Sequence, residues 1–546
     1  MVPQFLVMIL ISIAFGAYIV INSLQYQINN KILIPVVATL VVALTSGFLS
    51  GSVISSFTGD TGRYAGIASL FCLFLISLFH SNFSVSDFTK LIRIYLIIPI
   101  IESVLAILQK FELIDLPGAW GAHGTFGNED FFAAFIGIST PLFIFAVVNL
   151  NKKLQFMYAL GFLISIYALY LSGPLQSLVD IIISIIGLTI YKFRNYLPDI
   201  NFSLNIKNAI GVLAVVIWTE FIFLFPFLGE KFPILGNDVQ VKIRANFWLA
   251  GSKQFFSHPI FGVGPDQYGN YYEQFRTNTD AKNYTQILSN DAHSSAVQTL
   301  ATLGIVGSIC FLILIAILIR SMLILWQSRD FSKLTLFPLY LFIFVYFTNS
   351  LISPMTMPSK YLFWAISGWL IGKVYLSQKS ESYIGLLDIR FITLFLISTL
   401  AFIGFQFGNA QIKYISAFEN LKSSNLEFTD YKFNPYIPCY MYFDGQFIMA
   451  NKNDLNELRE LANKQLDSNP RCIAANIVLA QVAKEQNDIA TYKTAIYELV
   501  EMAPARSQVL NLALDYANTY RDISLLNRLK QIMRELNLLY IPGSAG

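Results

Sequence analysis

The stretch "VQTLATLGIVGSICFLILIAILI", Val297 to Ile319, runs for 23 residues without a charged side chain. At a rise of about 1.5 Å per residue, a helix of that length crosses a hydrocarbon core roughly 30 Å thick. Reading outward from it, eleven more apolar runs of similar length stand out: 3–21, 32–50, 65–82, 91–109, 131–149, 155–172, 175–191, 208–228, 334–353, 360–377 and 391–409. The chain has 546 residues, 55% hydrophobic and 13% charged, where soluble domains carry roughly 25% charge. Mean hydropathy is +0.56. The expected fold is all-α: a polytopic membrane bundle of about twelve spans. The run from Pro3 lacks a basic start, so it reads as a retained span rather than a cleaved signal.

Charge orients the spans. Lys31, Lys90, Arg93, Lys152, Lys153, Lys192, Lys333 and Arg390 lie beside alternate connections, and the opposite connections hold little beyond Arg63, Lys110 and Lys360. The cation-rich side faces the cytoplasm by the positive-inside bias. The large loop at about 229–292 and everything after the last span then face outward, from what reads as the cytoplasmic (inner) membrane of a bacterium.

The tail from about Gln411 is polar. Residues 1–409 read as the membrane domain and 410–450 as a connector rich in Tyr, Phe and Asn. Residues 451–540 read as a helical domain, in which Pro470 and Pro504 stand 34 positions apart. That period closing in proline fits a tetratricopeptide-type helical pair. The signature Trp and Gly positions are absent, and an ordinary helical bundle is the alternative. Cys72 and Cys310 lie in apolar runs; Cys439 and Cys472 lie in the tail, either bonded in an oxidising compartment or both free. Four histidines and no CxxC argue against a metal motif, and a net charge of +3 argues against nucleic acid.

Three motifs interrupt the apolar runs. "RANFWLAGSKQFFSHPIFGVGPDQYGNYY", Arg244 to Tyr272, precedes "DAHSSAVQTLATLGIVGSICFLILI", Asp291 to Ile315. "GTFGNEDFFAAFIGISTPL" begins at Gly124, and "DTGRYAGI" carries Arg63 and Gly66. The spacing of Arg244, Trp248, Pro259, Gly262, Gly264, His293, Gly304 and Gly307 resembles that of the O-antigen ligase and polymerase (Wzy-type) superfamily. The resemblance runs from about residue 60 to 372. Two departures stand out: Ser294 follows the histidine where Asn is common, and "LSGPLQSLVD" lacks the arginine of a Ser-Arg-Gly turn.

The resemblance implies a GT-C-type membrane glycosyltransferase. It would move a preassembled glycan from undecaprenyl diphosphate to a glycan, lipid or protein acceptor outside the membrane. Arg244 and Arg63 are the candidates for the diphosphate, because guanidinium is permanently charged and bidentate toward phosphate. His293 is the candidate base for the acceptor hydroxyl, with Arg244 beside it in catalysis. No cofactor or metal is implied. Trp248, Gly262, Gly264, Tyr268 and Tyr271 make up the expected substrate loop, the glycines for tight turns and the tyrosines, with Tyr272 and Phe275, as a lid or sugar-stacking surface. The plainer alternatives are that Arg244 and Arg63 anchor at headgroups, that His293 caps a helix, and that the tyrosines form an interfacial belt. His258 reads as structural and His123 as a second candidate. Glu102, Asp180 and Glu220 fall in or near spans, where charge marks function or pairing. Ligation, polymerisation of repeat units and polysaccharide transport are the competing activities. A transporter should show matching halves and broken mid-membrane helices, and matching halves are not seen.

Overall fold

The computed structural model describes residues 2–23, 26, 30–59, 63–116, 121–149, 152–193, 239–284, 287–376, 389–422, 433–437, 439 and 454–537. All regular structure among them is helical. The N-terminal half supplies α1 (Val2–Ile21), α2 (Asn30–Leu49), the short α3 (Val53–Thr58), α4 (Ile67–Ser81) and α5 (Val85–Lys110). A 3₁₀ turn at Gly124–Phe126 leads into α6 (Glu129–Asn149), α7 (Lys152–Ser172) and α8 (Leu175–Phe193). The large loop folds as α9 (Val239–Ser257), α10 (Tyr268–Phe275) and α11 (Asn278–Asn283). Then come α12 (Ser295–Gln327), α13 (Lys333–Ser350), α14 (Met357–Tyr375) and α15 (Ile389–Lys422). Helix thus occupies eleven of the twelve expected spans; 208–228, with Glu220, lies outside the described residues.

Among the described residues, α1, α2, α5, α6, α7, α12 and α15 are long and apolar enough to cross a membrane. α4, α13 and α14 are largely buried against them. Two helix pairs show why. Gly368 and Gly372 of α14 sit on the carbonyls of Ser77 and Ser81 of α4, so a Cβ at either glycine would come within 2.1 Å of an oxygen. Small residues four apart let helix backbones approach this closely. Asp180 of α8 accepts from the Asn349 amide of α13 at 2.6 Å and fills the space above Gly137 of α6. It is a buried polar clamp. Ile94, Phe156, Leu163, Leu312 and Phe402 point outward from the bundle, as a lipid-facing surface requires.

The expected connector changes character. α15 continues past residue 409 to Lys422, so the first part of 410–450 prolongs the last membrane helix. The tail contains α16 (Leu455–Ser468), α17 (Ile473–Glu485), α18 (Ile489–Met502), α19 (Ser507–Thr519) and α20 (Ile523–Glu535). Asp488 and Asp522, 34 residues apart, cap α18 and α20 by accepting from the Thr491 and Leu525 amides. Asn487 and Arg521, just before them, both take positive φ, 55° and 52°. α17 and α19 also begin 34 residues apart. Cys439 and Cys472 are bonded, with Cα atoms 5.9 Å apart.

Candidate active site

α12 is broken at Gly304, whose φ of 64° and ψ of −165° are not helical. A break within a membrane helix leaves backbone groups that lipid cannot satisfy. Here the Pro259–Gly264 hairpin fills the gap. Val263 and Gly264 donate to the carbonyls of Ala301 and Thr302 at 2.9 and 3.1 Å, and Ile305 donates to Pro259 at 2.9 Å. The Ser46 hydroxyl lies 2.6 Å from the Phe261 carbonyl and 2.9 Å from that of Thr302. A Cβ at Gly262 would come within 2.3 Å of the Thr302 carbonyl carbon, and one at Gly304 within 2.3 Å of the Ile260 oxygen. The motif glycines exist because two backbones touch there.

The repaired break aims the preceding residues at a cluster of charges. Arg63 pairs with Asp291 at 3.0 Å and lies over the Phe131 ring at 5.9 Å. Arg244, on α9, faces Asp130 at 4.0 Å. His293 adopts φ 54°, a strained conformation for a non-glycine residue. Asp291 holds it there: its carboxylate accepts from the His293 amide at 2.6 Å. The His293 Nδ1 lies 3.0 Å from the Asp291 carbonyl oxygen, so Nδ1 carries the proton and Nε2 keeps a lone pair. The ring packs 4.9 Å from Phe247. Burial, with the Arg63 and Arg244 charges, outweighs Asp291 and pulls the imidazole down to about 4.

Two cavities meet at this cluster. A long apolar one of about 560 Å³ runs between α4, α12 and α14 past Leu73, Phe311, Phe363 and Trp364. A smaller one of about 400 Å³ carries Gln4, Arg63, Thr125 and Phe131. Ala65, Asp291, Pro354, Met355 and Lys360 line both. Lys360 lies in no sequence motif; the charge pattern alone groups it with Arg63.

The expected substrate loop is not a platform. Trp248, Tyr268 and Tyr271 are 3%, 0% and 9% exposed. Tyr268 donates to the Phe247 carbonyl at 2.7 Å, and Tyr272 donates to Asp280 at 2.8 Å. Their rings form the core of the loop, and neither Tyr268 nor Tyr271 lines these two cavities. Arg244 and His293 line neither cavity, and His293 adjoins both through Asp291, whose carboxylate accepts from its amide. His123 has both ring nitrogens engaged, with the Gly124 carbonyl at 2.9 Å and the Gln109 amide at 2.8 Å. Glu102 accepts from the Thr125 amide at 2.8 Å and its hydroxyl at 2.6 Å. These residues hold the 3₁₀ turn whose Thr125 and Phe126 line the smaller cavity. His258 contacts Ser257 at the end of α9.

Residues 133–312 match the O-antigen ligase family. The match covers 180 of the 546 residues, from α6 to the middle of α12. The matched segment contains Arg244, the hairpin, His293 and the Gly304 break. Arg63 and Lys360 lie outside it. No curated protein matches the chain.

Proposed function

We propose that this protein transfers a glycan from a polyprenyl diphosphate to an acceptor hydroxyl on the extracytoplasmic face. The order of surfaces supports the reading. A polyprenyl-diphosphate glycan is an apolar tail, a doubly phosphorylated joint and a sugar chain. The protein offers an apolar cavity along its membrane helices, a joint beside Arg63, Asp291 and Lys360, and a second cavity with polar groups. Arg63 and Lys360 hold the diphosphate, with Arg244 as a further cation from α9. Without donor, Asp291 and Asp130 balance the two arginines; the diphosphate takes those cations over.

The acceptor oxygen attacks the anomeric carbon as the bond from that carbon to the phosphate oxygen breaks. The bonding pair leaves with the polyprenyl diphosphate. The acceptor proton goes to the His293 Nε2 lone pair, and the cations stabilise the charge developing on the leaving group without a divalent metal.

The disulfide supports an outward tail, since such bonds persist in oxidising compartments. Residues 454–537 read as tetratricopeptide-like hairpins, and their place beside the loop favours ligation to a bulky acceptor over polymerisation.

The test is purified protein with a labelled lipid-linked glycan. Release of polyprenyl diphosphate is expected, unaffected by EDTA. Movement of intact donor without release would make the protein a transporter, and inhibition by EDTA that Mg²⁺ rescues would overturn the metal-free mechanism. A ladder of products would mark a polymerase.

A further inference from the structure

Four consecutive tail residues, Asn469 to Cys472, hold three different parts of the protein. The Asn469 side-chain oxygen accepts from the Ser52 hydroxyl at 3.0 Å, at the turn between α2 and α3. Pro470 lies against Gly51 in the same turn. Arg471 stacks over the Tyr271 ring with its guanidinium carbon 3.8 Å from the centroid. It also donates to the Asn270 carbonyl at 3.2 Å and to the Gln274 side chain at 2.7 Å. Cys472 is bonded to Cys439. Arg506 adds an ion pair to Glu273 at 3.1 Å.

All three Arg471 contacts fall on α10. That helix begins four residues after Gly264 and so prolongs the hairpin that fills the α12 break. It is also tied to the charge cluster. Gln254 of α9 donates to the Tyr268 carbonyl at 3.1 Å, and the Tyr268 hydroxyl donates to the Phe247 carbonyl. Phe247 packs on the His293 ring and lies three residues from Arg244. A continuous set of contacts runs from Arg471 through α10 and Phe247 to His293.

We infer that Arg471 is a positioning residue: the tail is a clamp that holds α10, and through it His293 and Arg244, in register with the donor junction. Arg471 lines neither of the two cavities, and Arg63 and Lys360 belong to other elements. Loosening the clamp therefore disturbs the transfer step while leaving donor binding in place.

The activity readout rests on the transferase reading, and the structural readout does not. Deuterium uptake is compared across 264–283 in wild type and Arg471→Gln, and kcat and donor Kd are measured with the lipid-linked glycan. Faster uptake in α10, unchanged uptake in α4 and α14, and a fall in kcat of about thirtyfold at constant Kd are expected, the factor one desolvated cation–π contact corresponds to. Arg471→Lys keeps a cation over Tyr271 and should recover most of the loss. Should Arg471→Gln prevent folding, Tyr271→Leu removes the stacking from the other side while keeping the Arg471 hydrogen bonds, and should give the same pattern of changes to a smaller extent. Unchanged uptake or unchanged kcat overturns the clamp, as does a loss confined to donor Kd. A wild type that turns over no lipid-linked glycan refutes the transferase reading instead, and the uptake comparison then decides the clamp.

Discussion

Replacing Gly262 by alanine tests the hairpin in the helix break more directly than any change at a charged residue. Its φ is +69°, and the new Cβ would meet the Thr302 carbonyl carbon at 2.3 Å and the Leu303 nitrogen at 2.5 Å. Both are backbone atoms, so no rotamer change relieves the contact. The left-handed conformation alone costs an alanine about 1–2 kcal/mol. Pushing the hairpin away stretches the bonds from Val263 and Gly264 to the Ala301 and Thr302 carbonyls, each worth about 0.5–1.5 kcal/mol. The sum is about 2–5 kcal/mol. Gly173→Ala is the control: φ is +92°, but no atom lies within 4 Å of its added Cβ. It should lose only the conformational part. Thermal unfolding of both variants in the same detergent, followed by transfer assays below the lower midpoint, separates them. Gly262→Ala should melt well below Gly173→Ala and lose most of its activity. Equal midpoints for the two variants, or wild-type behaviour of Gly262→Ala, would refute the idea that the hairpin repairs the break.

Three other outcomes are expected. His293, held at about 4 in the native state against an unperturbed value near 6.5, binds fewer protons folded than unfolded between those values; its stability contribution is full above 6.5 and lost as pH falls toward 4. The acid limb of kcat/KM should accordingly fall near pH 4, and a limb near 6.5 that disappears in His293→Ala would show the imidazole to be unperturbed. Lys360→Met and Arg63→Lys should each raise the donor KM about tenfold or more, the loss of a charge-assisted contact or of bidentate geometry; unaltered KM in both would move the diphosphate elsewhere. Cys472→Ser opens a loop of 33 residues and should cost the tail roughly 3–4 kcal/mol, seen as a lower midpoint for residues 454–537 with the membrane core unchanged; free thiols at both positions in native protein would refute the bond.

What could be read from the chain follows from the range of each physical signal. Spans are local, because a run of apolar side chains meets lipid wherever it lies, and helix fills eleven of the twelve expected places. The 34-residue spacing of the tail is local too, and it reappears in the caps at Asp488 and Asp522. The glycines at 262 and 264 announced a tight turn, but not that its surface would be the backbone at Thr302. Tyr268 and Tyr271 misled because an aromatic loop has the same composition whether its rings face sugar or one another. Arg471 was invisible for a related reason, since its partners Asn270 and Gln274 are about 200 residues away in sequence.

The charge pattern carries a further signal for the site. On the side of the membrane where cations are scarce, the short connections offered only Arg63, Lys110 and Lys360. Topology bias disfavours basic residues beside outward span ends, so those that remain there need another reason to be kept. Two of the three line the smaller cavity, and the third, Lys110, ends α5 in the last turn before Phe111. Arg63 and Lys360 are 297 positions apart, and neither has a motif strong enough to identify it alone. Both lie near Asp291, which lines the two cavities. Cations on the side where the charge rule disfavours them are the residues to place first, because a buried cation needs a counter-charge, and Arg63 finds it in Asp291.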